Sequence, residues 1–324
     1  MKSKYKSIFV AIIMFTCASC LFGEATTSNT LMQISNDAEI MYAMGETNEG
    51  YGLGVITKIG AENEIYHTKQ RIINPTWAYE GDILFFLSEA KGESLAGYPS
   101  YWDKKTNEIK TCSHNLSFFM TIESANNPVN PYEVIIQNAW EIFRYDIGTC
   151  KILETILDHT EESNRGTING FSYNSKTGDI VFSENVPSGD IESTYEIKKI
   201  SHDGNDGEKL AAGINPKWSP DGSLISYIGV DGLYIMDSEG GNQIKLWDHP
   251  FGEMWNWLRN TFEMGAATPC WSSDGSQLFF HVRHSSYWLL DLDNVPIFRV
   301  SVADGSVEQV ATGGFYPIFI PPND

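Results

Sequence analysis

Cysteine, basic side chains and long apolar runs are all scarce in this chain, and each scarcity excludes something. Five cysteines occur in 324 residues, and the three beyond residue 25, Cys112, Cys150 and Cys270, form no CxxC or Cys/His pattern, so no structural zinc module is expected. Lys and Arg number 22 against 42 Asp and Glu, a formal net charge of −20. Such a surface repels phosphate backbones, which removes nucleic acid from the expected partners. Beyond the first 25 residues no apolar stretch approaches the roughly 20 residues that span a bilayer. No Gly-x-Ser-x-Gly nucleophile elbow occurs either, so a serine hydrolase built on that turn is not expected. What the chain does have is 42% hydrophobic and 13% aromatic residues, too much for a disordered acidic protein.

Residues 1–25 read as an export signal. A basic start with Lys2, Lys4 and Lys6 precedes an apolar run from Ile8 to Phe15 and then small or short residues, the layout of a secretory leader. Two cleavage points compete. Cutting after Ser19 would expose Cys20 as a lipoprotein anchor, and cutting after Ala25 would leave a soluble chain. The expected location is the periplasm or cell envelope, with membrane contact only through a lipid at Cys20. Cys112, Cys150 and Cys270 then remain, an odd number for an oxidising compartment. A Cys112–Cys150 disulfide is one reading; free buried thiols are the plainer one.

The rest of the chain repeats itself. The clearest unit runs Pro216-Lys217-Trp218-Ser219-Pro220-Asp221-Gly222, then strand-like Ser223 to Ile228, Gly232 to Asp237, a Gly240-Gly241 turn and Gln243 to Leu246. Copies open at Pro269-Cys270-Trp271-Ser272-Ser273-Asp274-Gly275 and Pro75-Thr76-Trp77, and a degenerate one at Phe171-Ser172-Tyr173. Aromatics at 77, 173, 218, 271 and 319 stand 96, 45, 53 and 48 residues apart. The first interval hides one more copy, which Leu116 to Ile122 followed by Glu133 to Gln137 fills. Asp-Gly favours tight turns because Gly tolerates positive φ and Asp bonds its own backbone. Four strands per unit of about 45–50 residues describe a β-propeller blade. We therefore expect an all-β fold over 31–324: a six-bladed β-propeller of four-stranded antiparallel blades. The C-terminal strand Tyr316 to Ile320 closes it by pairing with the N-terminal strands. If Leu31 to Ser35 forms its own blade strand, seven blades is the alternative.

The Pro-x-Trp-Ser-Pro-Asp-Gly repeat, sharp at Pro75–Leu87, Pro216–Leu246 and Pro269–Val282, resembles the WD-like propeller repeats of the TolB-like family. That resemblance implies an extracytoplasmic propeller that binds other proteins. It covers only the propeller part, because the family's preceding α/β domain has no counterpart between leader and first repeat.

His281 and His284 lie three apart on an expected strand and so point to opposite faces; His67, His114, His159, His202 and His249 lack ligand spacing. Asp221 and Asp274, beside Gly, are explained as turn formers. Asp203 to Gly207 lacks a full calcium loop. No catalytic residue, metal or cofactor is therefore assigned. One segment departs from the repeat: His249 to Ala267 carries Trp255, Trp257, Leu258, Phe262 and Met264, and apolar positions 254, 257, 258 and 262 suit a short amphipathic helix, which either caps the ring with its aromatics buried or offers them to a partner. Trp255, Trp257 and Phe262, with Tyr98 and Trp102 of a second segment, are the candidate contacts for a protein or peptide partner. The expected function is non-enzymatic binding. The alternative is a carbohydrate-active propeller, such as a metal-dependent oligouronide lyase with a histidine-bound metal.

Overall fold

The computed structural model describes residues 38–47, 50–57, 62–68, 70–78, 81–90, 96–106, 108–113, 116–117, 121–160, 166–186, 194–201, 207–229, 231–248, 269–281, 296–312 and 314–319, all within one compact unit, Leu31–Asp324. These residues form six antiparallel sheets. Sheet 1 contains β1 (Ala38–Thr47), β2 (Gly50–Thr57) and β3 (Glu62–Thr68). Sheet 2 contains β4 (Gln70–Trp77), β5 (Ile83–Ala90), β6 (Ala96–Asp103), β7 (Glu108–Thr111) and the short β8 (Leu116–Ser117). Sheet 3 is β9 (Thr121–Ser124), β10 (Glu133–Gln137), β11 (Glu141–Asp146) and β12 (Lys151–Asp158). Sheet 4 is β13 (Ile168–Tyr173), β14 (Ile180–Val186), β15 (Thr194–Ile200) and β16 (Glu208–Ala212). Sheet 5 is β17 (Ile214–Trp218), β18 (Leu224–Ile228), β19 (Gly232–Asp237) and β20 (Ile244–Asp248). Sheet 6 is β21 (Cys270–Trp271), β22 (Gln277–His281), β23 (Pro296–Ser301) and β24 (Val307–Thr312). The last strand, β25 (Gly314–Phe319), returns to pair with β1, with Ile40 opposite Phe319 and Met41 opposite Ile318. The chain is thus a β-propeller of four-stranded antiparallel blades, and its end docks beside its beginning as the sequence implies. Closure in this way gives β1 a partner on each side, β25 and β2.

The strand pattern explains the packing between sheets. Successive side chains of a strand point to opposite faces, so an apolar run serves two cores at once. On β5, Phe85 and Leu87 pack with Val134, Ile136 and Phe143 of sheet 3, whereas Leu84 and Phe86 pack with Met41 of sheet 1 and Trp77. β10 repeats this: Val134 and Ile136 face sheet 2, and Ile135 joins Phe171, Ile180 and Phe182 of sheet 4. Each large apolar side chain buried this way contributes about 1.5–3 kcal/mol.

Three expectations need correction. Five sheets are four-stranded, where six such blades were expected, because sheet 2 takes β8 as a fifth strand. The reason is length: β6 has eight residues and β7 four, so β7 covers only Ser100–Asp103. β8 covers Ala96 and Gly97, which places Leu116 in sheet 2 rather than at the opening of sheet 3. Leu31 to Ser35, on which a seven-bladed count rested, lies outside the described residues. Finally, Cys112 and Cys150 are not free thiols. They form a disulfide with a Cα–Cα distance of 5.6 Å, tying the residue after β7 to the residue before β12.

Candidate functional site

Several edge strands lie against their counterparts in neighbouring sheets, β25 on β4, β4 on β9, β9 on β13, β13 on β17, and β21 on β25. A recurrent local feature marks these strands. Their pairing slips between Ile73 and Thr76, between Ile168 and Phe171, and between Ile214 and Lys217. Each slip is a bulge holding one residue at positive φ: Asn74 at 47°, Gly170 at 82° and Asn215 at 51°. Pro75 and Pro216 follow the two asparagines, and a bulge is where a strand tolerates a residue without a donor. Gly170 has a further reason to be glycine, since a Cβ there would stand 2.5 Å from Asn215 Oδ1.

Just beyond these bulges, three sheets are joined by charged and polar side chains. Glu123 of β9 accepts a hydrogen bond from the Tyr173 backbone N–H at 2.7 Å and is ion-paired with Lys217 of β17. Lys217 Nζ also donates to the Phe171 carbonyl at 3.1 Å. The two side chains are 15% and 17% exposed, so the pair is largely shielded from water. Gln137, 1% exposed at the end of β10, donates to the Ile168 carbonyl at 3.0 Å and accepts from the Gly170 N–H at 3.0 Å. Trp271 Nε1 donates to the Lys217 carbonyl at 3.1 Å, extending the network to sheet 6. Chemically, this cluster neutralises its own charges and ties sheets 3 to 6 together.

The turn aspartates behave as the sequence implies. Asp221 accepts from Ser219 Oγ at 2.6 Å and from the Ser223 N–H at 3.0 Å, and Asp274 does the same with Ser272 and Ser276 at 2.7 and 3.0 Å. Hydrogen bonds from the serine hydroxyls, then from the backbone, hold both carboxyls down at about 2. A general acid at neutral pH needs the opposite shift. On sheet 5, burial raises the Tyr227 phenol to about 12, and its hydroxyl donates to Gln243 Oε1 at 2.9 Å.

Of the candidate partner contacts, Trp255, Trp257 and Phe262 lie outside the described residues. Trp102 is a core residue rather than an exposed contact: it is 3% exposed and meets Trp77 edge-on at 6.1 Å between ring centroids. The physical reason is that Ala96–Asp103 is the strand β6, whose alternation turns Trp102 inward. Tyr98 is half-buried on the same strand, its carbonyl taken by the Ser88 and Ser100 hydroxyls at 3.3 and 3.1 Å. His159 ends sheet 3 and His281 ends β22 of sheet 6, both 2% exposed. His114, His202, His249 and His284 lie outside the described residues, as does most of Asp203 to Gly207. Among the described residues, no group of three or more His, Cys, Asp or Glu side chains is placed to hold a metal, and no helix is long and apolar enough to cross a membrane.

No protein-family model matches the chain. Over 81 residues it is 35% identical to a Bacillus subtilis protein described as the uncharacterized peptidase YuxL. That match takes in 24% of this chain and 10% of the relative, so the aligned region spans about a tenth of that protein's length. A chain of the nidogen–laminin complex superposes with a TM-score of 0.62 at 10% identity, covering 89% of this chain and 100% of that one. A putative TolB from Agrobacterium tumefaciens superposes with a TM-score of 0.55 at 12% identity, covering 86% of this chain and 90% of that one. At such identities the likeness is one of fold: the chain has the β-propeller architecture that includes TolB-like propellers.

Proposed function

We propose that this chain is an exported, non-enzymatic β-propeller that binds a protein or peptide, held in the periplasm or cell envelope either as a soluble chain or by a lipid on Cys20. The observation that carries this reading is how the ionisable side chains are used. Glu123 and Lys217 neutralise one another between sheets. Asp221 and Asp274 are fixed in turns as stable carboxylates. These four described groups serve construction, and the connections between strands are the proposed place for recognition. The connection from β20 to β21 is the longest interruption of the repeat and carries Trp255, Trp257 and Phe262 in the sequence. The chain's charge of −20 favours a neutral or basic partner. The TolB-like and nidogen–laminin folds are compatible with this reading.

The test is capture of envelope proteins on the full exported chain, with each specific capture rebuilt from purified components. The variant Trp255→Ala/Trp257→Ala is expected to weaken the rebuilt complex about thirtyfold or more, the effect of losing a hot-spot aromatic (about 2 kcal/mol or more). Undiminished binding moves the contact to other connections. Metal-dependent cleavage of oligouronides by the purified protein would overturn the reading in favour of a lyase.

A further inference from the structure

The disulfide holds an unusual residue in place. Five non-glycine residues among those described have positive φ, and four are asparagines: Asn74, Asn126, Asn215 and Asn242. The fifth is Cys150, at 59°. Asn visits the left-handed region because its short amide bonds locally; a cysteine has no such compensation, and the conformation costs about 1–2 kcal/mol. Asn242 marks the comparison. It lies in the turn between the third and fourth strands of sheet 5, and Cys150 lies in the corresponding turn of sheet 3.

The surroundings of this turn are built around the bridge. Cys112 is fully buried and Cys150 half-buried, so a small reagent meets the bond from the Cys150 side. The Ile147 carbonyl lies 3.4 Å from Cys112 Sγ and 3.7 Å from Cys150 Sγ, leaving an acceptor ready for thiols once the bond opens. The turn is otherwise held by Ile147 N–H to the Tyr132 carbonyl at 3.0 Å, Thr149 N–H to Asp146 Oδ1 at 3.1 Å, and Lys110 Nζ to the Gly148 carbonyl. Directly after it comes the start of β12, where Ile152 and Leu153 are 56% and 49% exposed and a bulge interrupts the pairing.

We propose that the Cys112–Cys150 bridge is a redox-sensitive latch, which when closed holds Cys150 left-handed and fixes the entry to β12, and when opened lets the turn relax and releases the start of that strand. Opening needs a dithiol reductant. Two electrons enter the S–S bond, which breaks; each sulfur gains a proton, and the dithiol closes to its own cyclic disulfide. Because the left-handed residue is the seat of the device, an asparagine in its place should hold the turn without any bridge.

The test is hydrogen–deuterium exchange of the full chain, oxidised, reduced with dithiothreitol, and as the variant Cys112→Ser/Cys150→Asn. Labelling is kept too short for amides of β18 and β19 to exchange in the oxidised form. Reduction is expected to speed exchange at Ile147 to Leu153 at least tenfold with β18 and β19 still protected. The double variant should stay within threefold of the oxidised protein. Unchanged exchange on reduction overturns the proposal. So does a double variant as fast as the reduced protein, which would make the bridge a mere tether. Exchange of β18 and β19 as fast as that of Ile147 to Leu153 on reduction would mean that the whole fold opens with the turn, and equally overturns a local latch.

Discussion

Sheets 5 and 6 and sheets 3 and 4 reach the same architecture by different means. In sheets 5 and 6 the turns after the first strand are closed by local contacts. Ser219, Asp221 and Ser223 close one turn, Ser272, Asp274 and Ser276 close the next, and each set falls within five consecutive residues. In sheets 3 and 4 the Trp that ends the first strand and the Asp-Gly that follows it are missing, and long-range ties are prominent. Glu123 reaches Tyr173 and Lys217, Gln137 reaches Ile168 and Gly170, and Cys112 is bonded to Cys150. A degenerate repeat is therefore not a loosely held one. Where the turn code fades, cross-sheet polar and covalent contacts take over the work of fixing one blade against the next.

Breaking the long-range ties should cost more than breaking a local turn. The largest loss is expected for Cys112→Ser/Cys150→Ser. The closed loop has a sequence separation of 38, for which loop-closure entropy gives about 4 kcal/mol. Urea unfolding of the variant against the oxidised protein measures this directly; a loss no larger than that of a surface substitution would remove the covalent half of the contrast. Next comes Glu123→Ala, which strands a shielded Lys217 ammonium and leaves the Tyr173 N–H without its acceptor. Removing one member of a buried pair costs about 3–5 kcal/mol, and the partial exposure here places the expectation at about 3. A double-mutant cycle with Lys217→Met should recover part of it, since the orphaned charge is then gone.

The same contrast explains what the sequence disclosed. Trp218, Trp271, Asp221 and Asp274 belong to motifs whose physics is contained in a few neighbouring residues, so their strands, turns and roles were legible without coordinates. The return of the C-terminal strand to β1 was legible too, because an unclosed propeller exposes a sheet edge. The Glu123–Lys217 pair was not. Its members are 94 residues apart, and nothing in either neighbourhood singles them out. Trp102 was misplaced for a related reason. Its segment stood out in the sequence only as a cluster of aromatics, and the pairing of β6 with β5 is what shows that Trp102 faces the core. Asn74 and Asn215 did leave a signal, an Asn-Pro pair ahead of each Trp-bearing strand end. Recognising it as a repeated bulge required the register.

Gln137 offers a smaller probe of the long-range class. Gln137→Ala would leave the Gly170 N–H and the Ile168 carbonyl unpartnered at a buried junction. One such loss costs about 1–3 kcal/mol, so about 2 is expected, read as a lowered urea midpoint with an unchanged slope. A negligible change would mean that sheets 3 and 4 rely on apolar packing alone, which weakens the contrast.

The smallest effect belongs to the local turns, and pH separates it from the rest. Asp221 and Asp274 are held at about 2 in the folded chain against an ordinary value of 3.8, first by the serine hydroxyls and then by backbone N–H groups. A carboxyl depressed on folding binds its proton more readily in the unfolded chain. Its contribution is therefore complete above about pH 4 and drains away as pH falls towards 2. Both groups lie near the surface, where screening keeps each contribution to about 1 kcal/mol or less. In Asp221→Asn/Asp274→Asn the amide oxygen still accepts hydrogen bonds but carries no charge. The stability gap to the parent chain should be widest at pH 5–7, narrow through pH 4 to 2.5, and close near pH 2. Equilibrium unfolding at pH 6, 3.5 and 2.5 tests this, and a gap that does not narrow with acid would assign the turns' contribution to geometry rather than to the ionised carboxylates.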